Sequence, residues 1–452
     1  MGKYLAHTAR LAAATPSSRN RVVDSWRVLA ILLVVCGHWL AVSIWVKPDD
    51  SRHFLNSLEW VPYAGWLTWL FQVMPVFFLA GGYANARGLG KVAAGKQAVW
   101  DWVTQRARRL FTPVIPLLLL WVVLTQALGR VLPADALHTG SVIATMPIWF
   151  LAVYMGLTAL APLTHAWWRL WGSWSLLALA GAAGAVDVLR FVFDVPGVGW
   201  MNFLFVWAFV HQIGYWWSER DERGRVTPRA GWLLAAAALA LLIAVTWADW
   251  YPVAMVTIPG AGESNMTPPT FAVAILGMVQ FGVMIGTRPA VRRWLGRAGA
   301  WRAVVAFAGL AMTVFLWHLT AMALVAGLGL STFDGAVFRV EPGTTMWWAT
   351  RPVWYLVLGL VTLGLVAVFA RFELGVNRAP APPPWMVLAG VVLAAGSSAA
   401  IALVGINTTE ARTGPAQWAI TAAAVAGATL LGALPIRIGH ADHPRRRRRP
   451  GV

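Results

Sequence analysis

Apolar stretches of about twenty residues recur along the whole chain, and they limit the folds that it can adopt. A helix needs about 20 apolar residues to cross the hydrocarbon core of a membrane, and twelve such stretches are separated by charged or turn-rich segments such as VKPDD and SERDERGR. With 59% hydrophobic and 12% charged residues, no polar stretch remains for a soluble catalytic domain. The predicted fold class is all-α, a polytopic transmembrane helix bundle. Its predicted spans are 28–46, 64–86, 110–128, 142–163, 173–189, 200–217, 231–248, 269–287, 303–328, 352–370, 385–405 and 416–436.

The basic residues are distributed unevenly between the two sides of this bundle. If the N-terminus is cytoplasmic, 29 of the 36 Lys and Arg residues fall on the cytoplasmic side. An excess of Lys and Arg in short loops marks that side, so both termini are predicted to be cytoplasmic in a multi-pass plasma membrane protein. The net charge of +18 follows this distribution. The tail HPRRRRRP therefore indicates attraction to anionic lipid, and not to nucleic acid.

The chain divides into four parts by composition. Residues 1–26 are basic with only a short apolar patch, which predicts a retained cytoplasmic segment and not a cleaved signal. Residues 27–371 form a transmembrane core of ten spans, residues 385–436 add two spans, and residues 437–452 form a basic cytoplasmic tail. The single cysteine, Cys36, excludes intrachain disulfides and multi-cysteine metal sites, and no metal is expected.

Two ionisable residues of the first span share one helix face. Arg27 lies at its edge and His38 lies eleven residues further on, a distance of nearly three full turns and about 16 Å of helix. The histidine is thus predicted near the bilayer midplane. An ionisable side chain at that depth favours a functional role, such as contact with a ligand that has an anionic head and a long arm. The alternative is a snorkelling arginine and a histidine that is hydrogen-bonded inside the bundle.

Three further motifs contain candidate functional residues. Arg106 and Arg109, in QRARRLF, lie three residues apart at the cytoplasmic start of the third span, and guanidinium groups suit phosphate oxygens. Ordinary basic residues of the cytoplasmic side are the alternative. Gly81 and Gly82, in FFLAGGY, allow a helix or a ligand to approach the backbone. His318, in FLWHLT, is predicted deep in the ninth span.

These motifs resemble those of the integral-membrane acyltransferase family three. The resemblance rests on DSWRVLAILLVVCGH, with its Arg, ten residues and His, on FFLAGGY and on RARR, and more loosely on WFLAVY and FLWH. It runs from about residue 20 to about residue 370, which is the ten-span core of the family, so the last two spans are an addition. Gly81 stands where the family commonly has serine, and the contribution of that hydroxyl is absent here.

The resemblance implies an acyl-CoA-dependent O-acyltransferase. Such enzymes move an acyl group, often acetyl, from cytosolic acyl-CoA as co-substrate to a hydroxyl of a cell-envelope glycan, a glycolipid or a similar acceptor. His38 would be the general base or the acyl carrier, and His318 its catalytic partner in proton transfer or in orienting the acceptor. The CoA phosphates would be held by Arg27, Arg106 and Arg109. The substrate-binding positions would be Gly81, Gly82 and Trp149.

Two other functions are compatible with such a bundle. A twelve-span secondary transporter also places buried histidines between helices, but the two halves of the sequence show no convincing similarity, and the basic residues gather at one cytosolic mouth. A lipid or glycan flippase with the same core is the third possibility. The outer loops 249–268 and 329–351 combine aromatic rings with polar groups, which predicts acceptor recognition there; ordinary membrane-interface loops would have a similar composition.

Overall fold

A computed structural model describes residues 2–16, 19–61, 63–129, 132–258, 262–333, 335–408, 410 and 413–434. Of the residues that the structure describes, 76% are helical and almost none are in a sheet, which confirms the predicted helical class. The predicted basic tail, residues 437–452, lies outside the described residues.

Nineteen α-helices, two short 3-10 helices and one β-hairpin occur in the described part of the chain. The first ten helices are α1 (Gly2–Ala13), α2 (Arg21–Ala41), α3 (Ser57–Trp60), α4 (Ala64–Phe71), α5 (Met74–Ala93), α6 (Val99–Phe111), α7 (Val114–Leu128), α8 (Ala134–Thr145), α9 (Ile148–Trp171) and α10 (Ser173–Phe191). The others are α11 (Asn202–Glu222), α12 (Pro228–Trp247), α13 (Phe271–Gly286), α14 (Arg288–Leu295), α15 (Ala298–Ala308), α16 (Ala311–Thr332), α17 (Thr345–Leu374), α18 (Pro384–Val404) and α19 (Pro415–Leu431). The hairpin consists of β1 (Val42–Val46) and β2 (Arg52–Asn56).

Nine helical segments of the described residues are long and apolar enough to cross a membrane. A tenth is added if α13 and α14, which are bent by 54° relative to each other, count as one span. The remaining two predicted spans correspond to α11, where Asn202, His211 and Gln212 lower the apolar character, and to α19, which has only 17 residues. Each of the twelve predicted stretches is therefore largely helical, while their number as membrane spans and the side of the termini stay predictions.

The first predicted span is helical over only part of its length. The helix α2 ends at Ala41, and Val42–Val46 continues as β1, which pairs antiparallel with β2. The side chains of Val42, Ile44 and Val46 are β-branched and favour a strand, and the segment VKPDD supplies the turn. The prediction of a helix over 28–46 is thus wrong in its last five residues.

The core of the bundle contains a close crossing of α5 and α11. A Cβ atom on Gly82 would collide with the carbonyl oxygen of His211, and one on Gly214 would lie 2.5 Å from the backbone nitrogen of Tyr83. Small residues at such crossings let two helix backbones touch. Beside the crossing, the fully buried rings of Phe78 and Trp207 stack with their centres 4.4 Å apart.

Gly82→Ala is expected to destabilise the folded protein by about 1–3 kcal/mol, because the added methyl group would push α5 away from α11. The measurement is the Tm of the purified protein in detergent, which should fall. Gly156→Ala is the matched control, since a Cβ atom at this glycine of α9 would meet nothing within 4 Å. Equal Tm values for the two variants would show that the crossing does not depend on Gly82.

One side of the bundle is held together by a partly buried carboxylate. Asp221, near the end of α11, accepts hydrogen bonds from Asn20 Nδ2 and from the Tyr83 hydroxyl, both at 2.9 Å, and forms an ion pair with Arg288. The start of α2, the second half of α5, the end of α11 and the start of α14 therefore meet at this side. We call this side of the bundle the arginine side, because it also includes Arg27 near the start of α2. The charge distribution predicts that the arginine side faces the cytoplasm.

Candidate functional site

Two histidines that lie 280 residues apart in the sequence meet inside the bundle. His38 is in the last turn of α2, and His318 is seven residues after the start of α16. His38 Nδ1 and His318 Nε2 are 2.8 Å apart, the ring planes differ by 7°, and the ring centres are 5.1 Å apart. The two candidate catalytic residues are therefore hydrogen-bonded to each other.

The direction of this hydrogen bond follows from a third group. His318 Nδ1 lies 2.7 Å from the carbonyl oxygen of Phe315; a carbonyl oxygen only accepts, so His318 Nδ1 carries a proton. In a neutral imidazole the other nitrogen is then an acceptor. His318 Nε2 accepts from His38 Nδ1–H, which leaves His38 Nε2 with a free lone pair. The hydrogen bonds fix the tautomer of both rings and present a single basic nitrogen.

The two histidines differ in exposure. His318 has no exposed surface, whereas residue His38 is partly exposed. His38 does not stand in the middle of a helical span as expected, because α2 ends three residues later, at Ala41. Its depth relative to a membrane stays a prediction.

The end of α2 that carries His38 is anchored by its neighbours. Trp39 Nε1 donates a hydrogen bond to the carbonyl oxygen of His318 at 3.1 Å. From α17, Trp354 Nε1 donates to the carbonyl oxygen of Trp39 at 2.9 Å, and the Tyr355 hydroxyl donates to the carbonyl oxygen of Cys36 at 2.8 Å. The last four carbonyl groups of a helix lack partners within it, and here the indole of Trp354 in α17 supplies one for Trp39. The position of His38 is thus fixed from two sides.

Arg106 is pre-oriented by two contacts. Its Nε donates to Asn85 Oδ1 at 3.1 Å, and its guanidinium carbon lies 3.8 Å from the centre of the Trp102 ring. Asn85 Nδ2 in turn donates to the buried His211 Nε2 at 3.1 Å. His211 is therefore a hydrogen-bonded part of the core, and it supports Arg106 through Asn85.

Arg109 lies in a cluster of charged groups on the arginine side. It interacts electrostatically with Arg27, Arg19 and Glu373, and Arg27 and Arg19 share the carboxylate of Asp24 at 3.9 and 2.6 Å. The cluster thus contains three guanidinium groups and two carboxylates, those of Asp24 and Glu373. Its excess of positive charge attracts anions. The structure brings together the two predicted residues Arg27 and Arg109, although they belong to different helices.

Glu373 connects this cluster to the helix that carries His318. Its carboxylate accepts from the backbone nitrogens of Met312 at 3.1 Å and Thr313 at 2.8 Å, and from the Thr313 hydroxyl at 2.7 Å. It caps the first turn of α16, where a negative charge is stabilising. Sequence reasoning missed Glu373. One feature of the sequence could have pointed to it: an acidic residue lies in the last turn of α17, where the helix dipole disfavours negative charge.

Arg108, between the two candidate arginines, has a different role. Its side chain is buried and donates to the carbonyl oxygens of Leu431 and Ala379, both at 2.5 Å, and of Pro380 at 3.3 Å. Arg108 therefore ties α6 to α19 and to the segment before α18. Arg106 and Arg109 make no hydrogen bond to that C-terminal region among the described residues.

The two predicted substrate-binding glycines have different neighbours. A Cβ atom on Gly81 would lie 2.5 Å from the hydroxyl oxygen of Tyr154, whereas Gly82 faces α11. Tyr154 also interacts electrostatically with both Arg106 and Arg109. Sequence reasoning did not single out Tyr154, although it ends the motif WFLAVY.

The third predicted substrate-binding residue, Trp149, packs in an aromatic cluster. Its ring meets those of Phe150 and Phe203 edge to face, with 6.3 Å between ring centres in both pairs. Phe150 also contacts Phe315, with ring centres 5.6 Å apart. Trp149 is thus separated by one side chain from the turn of α16 that orients His318, and its contact with substrate stays a prediction.

Comparison with known proteins gives one family match. The model of the acyltransferase domain of acyltransferase family 3 matches residues 20–371. This stretch includes His38, His318 and the three candidate arginines, and it ends two residues before Glu373. No curated protein and no solved structure gives a significant match.

Proposed function

Because the chain belongs to acyltransferase family 3 and residues 20–371 match the domain of that family, we propose that it is a membrane O-acyltransferase. It takes an acyl group, acetyl or another short one, from acyl-CoA on the arginine side and passes it to a hydroxyl of an envelope glycan, glycolipid or similar acceptor outside the cytoplasm. The family match favours this function over a secondary transporter.

The observation that carries the proposal is the polarised pair of histidines. His38 Nε2 has a free lone pair, and its tautomer is held by His318 Nε2, which in turn is held by the Phe315 carbonyl. A neutral imidazole that is oriented by a second group is suited to general base catalysis. His38 is then the catalytic residue and His318 the positioning residue.

In the proposed reaction, His38 Nε2 accepts the proton of the acceptor hydroxyl while the oxygen attacks the thioester carbonyl carbon of acyl-CoA. A carbon–oxygen bond forms, the carbon–sulfur bond breaks, and the CoA thiolate takes the proton back from His38. The products are the acyl ester and CoA. In the alternative, His38 Nε2 attacks the thioester carbonyl carbon, the carbon–sulfur bond breaks, and the CoA thiolate leaves with the acyl group held on His38 as an acyl-imidazolium. The acceptor oxygen then attacks this carbon, the carbon–nitrogen bond breaks, and the hydroxyl proton passes to the thiolate. Rapid quenching followed by intact mass measurement of the protein separates the two routes.

The arginine side supplies a fitting site for the phosphates of CoA. Arg106 is pre-oriented by Asn85 and Trp102, and Arg109 lies with Arg27 in a cluster with excess positive charge. Arg27 and His38 lie on one face of α2, about 16 Å apart along its axis. That spacing suits a donor whose charged end stays at the arginines while its thioester reaches the histidine.

The test is direct. In the first experiment, purified protein is incubated with acetyl-CoA, with and without lipid extract, and the release of CoA is measured. In the second, the envelope glycolipids and polysaccharides of deletion and wild-type cells are compared by mass spectrometry. We expect slow acetyl-CoA hydrolysis or exchange in vitro and the loss of at least one acylated species in the deletion strain. A protein without either activity on acyl-CoA, in cells with unchanged acyl groups, would overturn the proposal.

Arg106→Ala and Arg109→Ala should each weaken acetyl-CoA binding by about ten- to a hundredfold, since a hydrogen bond to a charged group contributes about 1.5–3 kcal/mol. Isothermal calorimetry gives the Kd. Arg108→Ala is the matched control: it should lower the Tm, because it leaves carbonyl groups of the C-terminal region without a donor, and change the Kd little. If all three variants bind alike, the arginines are ordinary basic residues of the cytoplasmic side.

The acceptor is proposed to bind at the outer loops 249–268 and 329–351, of which residues 259–261 and 334 lie outside the described residues. Several of their polar groups are engaged internally. Asn265 donates to Pro252 and Ala254. Burial and the Asp187 carboxylate raise the pKa of Tyr251, whose hydroxyl donates to that carboxylate. Trp250 remains 70% exposed, which leaves it free to stack on a sugar ring.

Exchanging the two loops for those of a relative should change which acceptor is acylated and leave acetyl-CoA hydrolysis in detergent unchanged, because neither loop contains a member of the histidine pair or a group that is hydrogen-bonded to its rings. The acylated products are identified by mass spectrometry. Trp250→Ala, with an unaltered backbone, should lower transfer to the native acceptor alone. Unaltered acceptor preference, or lost hydrolysis in a correctly inserted protein, would place the acceptor elsewhere.

A further inference from the structure

An arginine lies near the start of α17, at the end of the bundle opposite to the arginine side. Arg351 is in the second turn of α17, and Glu373, which caps α16 on the arginine side, is in the last turn of the same helix. The two positions are about 33 Å apart along the helix. Arg351 therefore lies at the end of the bundle where the acceptor, and not the phosphate end of CoA, is proposed to bind.

The face of α17 that carries Arg351 packs against the rest of the bundle. Trp347 and Leu358, four residues before it and seven residues after it, are 2% and 0% exposed, and residues at this spacing share one face of a helix. The other face includes Val353 and Leu356, which are 63% and 62% exposed. Arg351 is itself partly buried. It thus belongs to the protein-facing side of α17 and not to its exposed apolar side.

The guanidinium group of Arg351 is held in place, yet no described residue forms an ion pair with it. Its carbon lies 4.2 Å from the ring centre of Trp347 and 5.5 Å from that of Trp354. Nε donates to the carbonyl oxygen of Trp347 at 3.3 Å, and Nη2 donates to the Thr350 hydroxyl at 3.2 Å. Nη1 has no hydrogen-bond partner in the described part of the chain. A positive charge that is partly removed from water and unpaired favours an anionic partner.

Two other arginines at this end of the bundle are paired with carboxylates. Arg339 pairs with Asp50 at 2.7 Å, and Arg190 pairs with Glu263 at 3.8 Å. The lack of a counter-ion at Arg351 is therefore not a general property of the arginines in the outer loops.

Arg351 is close to the end of α2 that carries His38. The indole of Trp354, against which its guanidinium group packs, donates a hydrogen bond to the carbonyl oxygen of Trp39 at 2.9 Å. Trp39 directly follows His38. A single indole ring therefore separates the guanidinium group from the residue next to His38, and a molecule whose anionic group contacts Arg351 is brought to this end of α2.

We propose that Arg351 binds an anionic group of the acceptor, a phosphate or a carboxylate, so that the acceptor is an acidic glycan, glycolipid or similar compound and not a neutral one. The planar fork of a guanidinium group suits both anions. This inference rests on the proposed acyl transfer. It assigns Arg351 to the choice of acceptor, while His38 accepts the proton.

The first experiment uses the wild-type protein alone. An envelope extract of deletion cells is divided on an anion-exchange column into a neutral and an acidic fraction, and each fraction is incubated with the protein and radiolabelled acetyl-CoA. We expect label in the acidic fraction, where the accurate mass of the product identifies the anion as a phosphate or a carboxylate. Equal or greater label in the neutral fraction would overturn this inference and leave the acyl transfer standing, whereas label in neither fraction would overturn both.

The second experiment tests whether Arg351 is the residue that recognises the anion. With the acidic fraction as acceptor, Arg351→Gln should raise the apparent KM for the acceptor about ten- to a hundredfold, the effect of one lost hydrogen bond to a charged group. Arg351→Lys should restore part of this loss, because the ammonium group keeps the charge but not the fork. Arg339→Gln, at the outer arginine that pairs with Asp50, is the matched control and should have the KM of the wild type.

An equal KM for the acceptor in the wild type and in Arg351→Gln, or a lower kcat at an unchanged KM, would remove Arg351 from acceptor recognition. If Arg351→Gln does not fold, Arg351→Lys decides the question: its KM for the acceptor should still be several-fold higher than that of the wild type, and an unchanged value would overturn the assignment.

Discussion

His38→Ala is expected to lower the turnover of acyl transfer by about a hundred- to ten-thousandfold, the range that a general acid–base group contributes. The reason is that His38 Nε2 is the one lone pair that the hydrogen bonds from Phe315 through His318 leave free. The measurement is kcat for CoA release with acceptor present, on protein whose elution from a size-exclusion column and Tm match those of the wild type.

His38→Asn separates catalysis from packing. The Asn amide nitrogen stands close to the position of His38 Nδ1 and can still donate to His318 Nε2, so this variant should fold and bind acetyl-CoA like the wild type, yet be as inactive as His38→Ala. Turnover close to that of the wild type in either variant would remove His38 from the chemistry.

His318→Phe is expected to lower kcat by about ten- to a hundredfold with little change in the KM for acyl-CoA. Phe cannot accept the proton of His38 Nδ1, and leaving a buried donor without a partner costs about 1–3 kcal/mol. It also frees His38 to place its proton on Nε2, and in that tautomer Nε2 has no lone pair with which to accept the proton of the acceptor. Steady-state kinetics in detergent gives both constants.

His318→Gln is the conservative control for this positioning role. Its amide oxygen is as many bonds from Cβ as His318 Nε2 is, and it can accept from His38 Nδ1–H, so a large part of kcat should return. If the role of His318 were purely structural, His318→Phe and His318→Gln would lower kcat equally, and both variants would have a lower Tm than the wild type. Loss of kcat in the Gln variant at an unchanged Tm would point to direct proton transfer by His318.

Much of the fold could be predicted because it depends on local apolar patterns. The helices lie at the predicted stretches, and α2 runs without a break through Arg27 and His38, so their common face is confirmed. The predicted helix bounds are wrong where contacts with distant parts of the chain end a helix early or divide it in two. Val42–Val46 is as apolar as a helix end but pairs with β2, and the predicted span 303–328 is split into α15 and α16, the second of which starts under the Glu373 cap.

The candidate site was predictable as a set of residues and not as an arrangement. Arg27 and His38 belong to one helix, so their relation could be derived from 3.6 residues per turn. His38 and His318 are 280 residues apart, and no local pattern contains their hydrogen bond or its direction. Glu373 and Tyr154 were missed for the same reason, since each acquires its partners from a helix distant in the sequence.

The contacts of Arg108 have a consequence for dividing this protein into parts. The family domain ends at residue 371, yet the buried guanidinium group of Arg108, inside that domain, takes its acceptors from Ala379, Pro380 and Leu431. A chain cut at the family boundary would lose all three of these acceptors, and each hydrogen bond to a charged group contributes about 1.5–3 kcal/mol. The segment after residue 371 is therefore packed as part of the bundle, and we expect a chain cut at that boundary to have a lower Tm than the full-length protein.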